Sequence, residues 1–132
     1  MADYSLTRIK DVPNVGEGFA SPDDFEIRFL RDALALTSSG VSWMRYSAGY
    51  NTPFGHRQKK QEEVYILISG HATVKLEDEL VEMAPLSALR VPPETARAFR
   101  ASGDADAIFI AVGAPATGPG DGEPDMEFWV DS

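Results

Sequence analysis

The chain has 132 residues, no cysteine and a formal net charge of −9. That length fits one domain able to bury a core without staples, and a cysteine-free chain has neither disulfides nor thiolate metal sites. The acidic balance argues against a nucleic-acid or anionic-membrane surface, either of which needs a basic patch.

No apolar run approaches the roughly 20 residues that span a bilayer. The opening MADYSLTRIKD lacks the apolar core of a signal peptide, so a cytoplasmic location is expected. Pro13, Gly16, Gly18 and Pro22 punctuate residues 1–24, an irregular arm with one short strand expected at 6–10. Phe25-Glu26-Ile27-Arg28-Phe29 then alternates apolar and charged residues, the pattern of a strand with one buried face. Residues 30–36 suit a helical turn, too short to stand alone. Residues 41–48 predict a strand with Val41, Trp43 and Arg45 on one face and Met44 and Tyr46 on the other. A loop over 49–55 delivers His56.

The next strand, 63–69, is apolar on both faces: Tyr65 and Leu67 on one, Val64, Ile66 and Ile68 on the other. Residues 71–76, 80–83, 88–91 and 97–100 predict further strands, with Glu77-Asp78-Glu79 as a polar hairpin turn. His71 shares a face with Thr73 and Lys75 and is expected at the surface. Residues 107–112 form a second strand apolar on both faces. A Pro/Gly-rich loop, 114–125, is expected to be mobile, with Phe128-Trp129-Val130 in the C-terminal 126–132 as an anchor. Many short strands spaced by turns, with almost no helix, predict a single all-β domain with a barrel core at about 25–113. Strands apolar on both sides need an outer cover, and a homodimer is the simplest.

The chemistry concentrates around residues 56–70. His56 and Gln58 are two apart and point to one side of an extended backbone. Glu63 shares its face with Tyr65. An imidazole, an amide and a carboxylate can therefore meet, as a metal site, as a polar ligand pocket, or as the remnant of either. Arg57, Lys59 and Lys60 form the one dense basic patch, either a solvated loop or an attraction for an anionic small molecule. Trp43, Tyr46, Phe54, Tyr65 and Phe99 are expected mainly in the core, with Tyr65 the best placed to line a cavity. No Ser/His/Asp arrangement, dinucleotide fingerprint or P-loop can be argued.

These residues resemble the cupins, double-stranded β-helix proteins related to the jelly rolls. The family's first motif, G-x5-H-x-H-x3-4-E-x6-G, is matched by His56, Glu63 and Gly70, with Gln58 at the second histidine and Gly49 one position early for the opening glycine. Its second motif, G-x5-P-x-G-x2-H-x3-N, is matched by Pro92. Leu86, Glu94, Arg97 and Ala101 stand where the first glycine, second glycine, histidine and asparagine would be. The resemblance covers roughly residues 41–112 and implies a cupin-like jelly-roll barrel.

In metal-binding cupins three histidines and the glutamate hold a divalent ion. Here the resemblance leaves His56 and Glu63, adds the weak amide ligand Gln58, and puts at the last position Arg97, which has five donors and no acceptor. Arg97 either pairs with Glu63 inside the barrel or turns out to solvent. His56 is either a neutral histidine at the barrel mouth or a metal ligand. Three readings follow, in order of preference. The first is a pocket of His56, Gln58, Glu63, Tyr65, Arg97 and Phe99 that binds a small polar or anionic molecule without a metal or other cofactor. The second is an oxygenase or isomerase whose divalent transition metal sits on His56, Gln58 and Glu63. The third is a metal-free isomerase or epimerase with His56 and Glu63 as its acid–base pair.

Overall fold

The computed structural model describes residues 1–18, 20–52, 55–58 and 60–115, together with the backbone of 123–125. Two short 3-10 turns, Ile9–Asp11 and Val15–Gly18, precede the barrel. Its strands are β1 (Phe25–Phe29), β2 (Gly40–Tyr46), β3 (Gly55–Arg57), β4 (Glu62–Ser69), β5 (Ala72–Leu76), β6 (Glu79–Met83), β7 (Ala88–Val91), β8 (Arg97–Ala101), β9 (Ala107–Ala114) and β10 (Glu123–Asp125), with one helical turn, α1 (Arg31–Leu34), between β1 and β2. They form two five-stranded antiparallel sheets, ordered β1-β2-β9-β4-β7 and β10-β3-β8-β5-β6. This is the expected jelly-roll barrel.

Alternation decides which side chains enter the barrel. Tyr65 and Leu67 from β4, Met44 and Tyr46 from β2, Phe109 and Ala111 from β9, and Val74 and Phe99 from the facing sheet meet in one core. Its aromatic rings touch edge to face: Phe25 on Tyr46 at 5.0 Å, Phe99 on Phe109 at 5.2 Å. β4 ends in a bulge between Leu67 and Ser69, which leaves Ile68 43% exposed. Gly70 follows at φ +81, and a Cβ there would run into the Asp106 carbonyl oxygen.

Several expectations need correction. Residues 6–10 form no strand: the chain is extended there and then makes the turn Ile9–Asp11. LTRIK alternates, but no neighbouring strand takes up its hydrogen bonds. The segment 114–125 is not loop throughout, because Glu123–Asp125 pairs antiparallel with β3. Trp43 points out of the barrel, in register with Ile110 and Arg28 on the outer face of the first sheet. Thr73 and Lys75 are buried although His71 is exposed, and the Thr73 hydroxyl is tied to the Glu82 carboxylate across the β5–β6 pair. Phe54, Lys59, the stretch 116–122 and the anchor 126–132 lie outside the described residues. No helix among the described residues is long and apolar enough to cross a membrane.

Candidate functional site

Glu63 is the last inward-facing residue at the β4 end that opens on the barrel mouth, opposite Val91 of β7 and Gly113 of β9. Arg97 comes from the other sheet. It opens β8, opposite His56 of β3. The arrangement thus brings His56, Glu63 and Arg97 together across the barrel, with Gln58 following β3 and Tyr65 two residues beyond Glu63.

Arg97 does not turn to solvent; it is fully buried. Its Nη1 donates to Glu63 Oε1 at 2.7 Å. Nε donates to the Thr95 carbonyl at 2.9 Å, and Nη2 donates to the carbonyls of Pro92 at 2.6 Å and Thr95 at 2.7 Å. Pro92 and Pro93 stop β7 and bend the chain around the guanidinium, and the Gln58 N–H closes the loop on the Pro93 carbonyl at 2.7 Å. A planar five-donor fork suits this cage, and an ammonium would not fill it.

Glu63 Oε1 gathers the remaining polar groups. The Tyr65 hydroxyl donates to it, the Gln58 amide reaches it at 3.5 Å, and His56 Nε2 lies 3.9 Å away, in ion-pair rather than hydrogen-bond range. Burial pushes the Glu63 carboxyl up, but His56, Tyr65 and Arg97 outweigh it and hold the group below the ordinary carboxylate range. Burial, with the Glu63 charge added, pushes the Tyr65 phenol well up. The site therefore contains an ionised carboxylate, a neutral phenol and a guanidinium whose three nitrogens all donate within the protein. His56 is the most open member, with 31% of its side chain exposed. Phe99 stacks beside Tyr65 at 4.5 Å.

This donor set does not fit a divalent metal. The glutamate oxygen that would ligate is bound to Arg97, whose fixed charge would repel a cation at that distance. Among the described residues no three His, Cys, Asp or Glu side chains converge on one point. The basic patch does not serve the pocket through Arg57 either, since Arg57 bonds the Glu77 carboxylate at 2.9 Å and the Glu94 carbonyl at 3.0 Å.

Two residues outside the expected set belong to the same region. Gln61 has the parity of Glu63 and is 6% exposed. A Cβ on Gly113 would sit 2.5 Å from its Cδ, and one on Gly40 3.7 Å from its amide nitrogen. Gly40 and Gly113 face each other in the β2–β9 ladder, so the missing side chains make the slot that holds this carboxamide beside Glu63. Thr52 lies alongside β8, its N–H donating to the Phe99 carbonyl at 3.1 Å. The parity of Gln61 was visible in the sequence; the glycine slot and the course of residues 51–52 were not.

No protein-family model matches the chain, and no curated protein sequence matches it. Solved structures do. A cupin protein from Bacteroides fragilis is 28% identical, with a TM-score of 0.69, over 88% of this chain and 87% of its own. The Streptomyces protein PAC13, in a variant with uridine, superposes with a TM-score of 0.72 at 18% identity over 94% of this chain and 91% of its own. A sugar phosphate isomerase of the cupin superfamily from Silicibacter pomeroyi gives 0.65 at 22% identity over 86% of this chain and 71% of its own. With the barrel topology and the motif positions of His56, Glu63, Gly70 and Pro92 in place, the chain is a member of the cupin superfamily.

Proposed function

We propose that this cupin binds a small polar molecule in a metal-free pocket at the barrel mouth, bordered by His56, Gln58, Glu63, Tyr65, Arg97 and Phe99. One observation carries the reading: Arg97 stands at a ligand-histidine position, fully buried and 2.7 Å from Glu63 Oε1. Its charge takes the place of a metal's charge in holding the glutamate ionised. A neutral ligand suits this wall better than an anionic one, since Glu63 is ionised and the Arg97 donors are engaged within the protein. The Streptomyces protein, whose fold is similar, was solved with uridine, and for this chain that suggests a first compound to try. A cytoplasmic location is part of the same reading.

The test is metal content together with ligand binding. Tag-free protein purified without chelator is expected to carry divalent metal far below one equivalent, before and after soaking. In a thermal-shift screen of polar small molecules, neutral compounds are expected to stabilise the wild type and to lose that effect in His56→Ala. Near-stoichiometric metal that disappears in Glu63→Ala would overturn the reading in favour of a metal-dependent oxygenase or isomerase.

A catalytic variant rests on one distance, the 3.9 Å between His56 Nε2 and Glu63 Oε1. A carboxylate so placed can orient an imidazole. An isomerase or epimerase built on this pair would show turnover that vanishes in His56→Ala and in Glu63→Gln.

A further inference from the structure

We propose that Thr52 is a ligand-contacting residue of this pocket and that its ligand is a neutral polyhydroxyl ring of the sugar or nucleoside class. The inference rests on the metal-free pocket proposed above and specifies what enters it.

Thr52 Oγ1 is a buried side-chain oxygen that meets no hydrogen-bond partner, the one such atom among the described residues. Buried hydroxyls are almost always satisfied in native proteins, and an exception needs a cause. Position supplies one. Asn51 bridges Arg100, and Thr52 donates its N–H to the Phe99 carbonyl, so Thr52 stands opposite Phe99. Residues opposite each other in an antiparallel ladder share a face, and Phe99 faces the core. His56 stands opposite Arg97 on the same side of β8. Thr52 is therefore one pleat repeat deeper than His56, about 7 Å along the barrel, which is roughly the span of a five- or six-membered ring with its substituents.

The chemistry around these two positions selects the class. Glu63 accepts only, being ionised, while the amides of Gln58 and Gln61 and the hydroxyl of Thr52 can each donate and accept. The Gln61 amide nitrogen donates to the Pro115 carbonyl at 3.4 Å, a long bond that a better acceptor would replace. Phe99 and Tyr65 give one apolar flank. A ring whose hydroxyls donate to the carboxylate and accept from threonine and amide, with its C–H face on the aromatic side, matches each of these surfaces. An anion would meet the Glu63 charge instead.

The experiment uses the full chain with uridine, D-ribose and D-glucose as probes, read by calorimetry and thermal shift. Thr52→Val keeps the shape and removes the hydroxyl. Its ligand-free midpoint is expected to rise by about 3–5 °C, because an unsatisfied buried hydroxyl is gone. Affinity for the bound probe is expected to fall about tenfold or more, the loss of one good hydrogen bond, and Thr52→Ser is expected to restore it. Affinity unchanged in Thr52→Val would overturn the role of Thr52 and leave the pocket standing. A probe that binds wild type and His56→Ala equally would overturn the pocket itself. Failure of all three probes to bind wild type at millimolar concentration would overturn the ligand class.

Discussion

Glu63 is where the favourable and unfavourable contributions to this fold can be separated. Breaking a buried ion pair from one side leaves an uncompensated charge, so Arg97→Met is expected to cost about 3–5 kcal/mol in urea unfolding, and adding Glu63→Leu should recover much of it. A harmless single substitution would mean the pair contributes nothing. The pH dependence has a definite sign. The folded-state value of Glu63 is lowered, so its stabilisation is complete above about pH 5 and is lost as pH falls through the folded value. Stability measured from pH 7 to 3 should fall less steeply in Glu63→Gln than in wild type. The pairing was legible in the sequence because motif positions put a glutamate and an arginine into one ligand set, and a buried charge demands a partner. The cage of Pro92, Pro93 and Thr95 carbonyls was not, since nothing in VPPETAR states where its carbonyls point. Thr52 was equally hidden, because its partner strand lies 47 residues away in sequence.

Strands were found wherever alternation served a buried face, which is why β1, β2 and β4 to β9 fall close to their expected places. β10 was missed because Glu-Pro-Asp has no strand propensity; it exists by pairing with the β3 edge. Turns show a similar override. At the family's first second-motif glycine this chain has Leu86, and the backbone keeps the glycine conformation all the same, at φ 66. Register requires it: the Leu86 N–H bonds the Leu67 carbonyl at 2.7 Å while the Leu67 N–H bonds the Ser87 carbonyl at 3.0 Å, locking the entry of β7 onto β4. The side chain is 81% exposed and packs little. Leu86→Gly removes the left-handed strain at the price of a more flexible unfolded chain, for a net gain of about 0.5–1 kcal/mol. A higher thermal midpoint with unchanged ligand binding is the expected result, and a lower one would show that Leu86 makes a contact worth more than its strain.

The first sheet turns two apolar rows toward the outside of the barrel. Across the first sheet, Trp43, Ile110 and Ile66 lie in one outward row, with Val41, Val112 and Val64 in the next. All six are half-buried in the lone chain. The charged groups around them are Arg28, Arg45 and Arg90 against Glu26, Glu62 and Asp106, three positive to three negative, on a chain of net charge −9. The acidic excess therefore lies elsewhere, and two copies meeting here would not repel at the contact. Five strands about 4.8 Å apart and roughly seven residues long give a face on the order of 400–500 Å² in plan. Two such faces with protruding side chains bury about the 1,000 Å² that a specific interface needs. A second copy is the cover this reading assigns, and light scattering after gel filtration at tens of micromolar (roughly the range where a modest interface forms) should return twice the chain mass of 14.4 kDa. Ile110→Glu, at the centre of the row, should return the monomer with its own fold intact by circular dichroism. A wild type that elutes as a monomer would remove the homodimer and leave the outward rows without a partner of this chain's own kind.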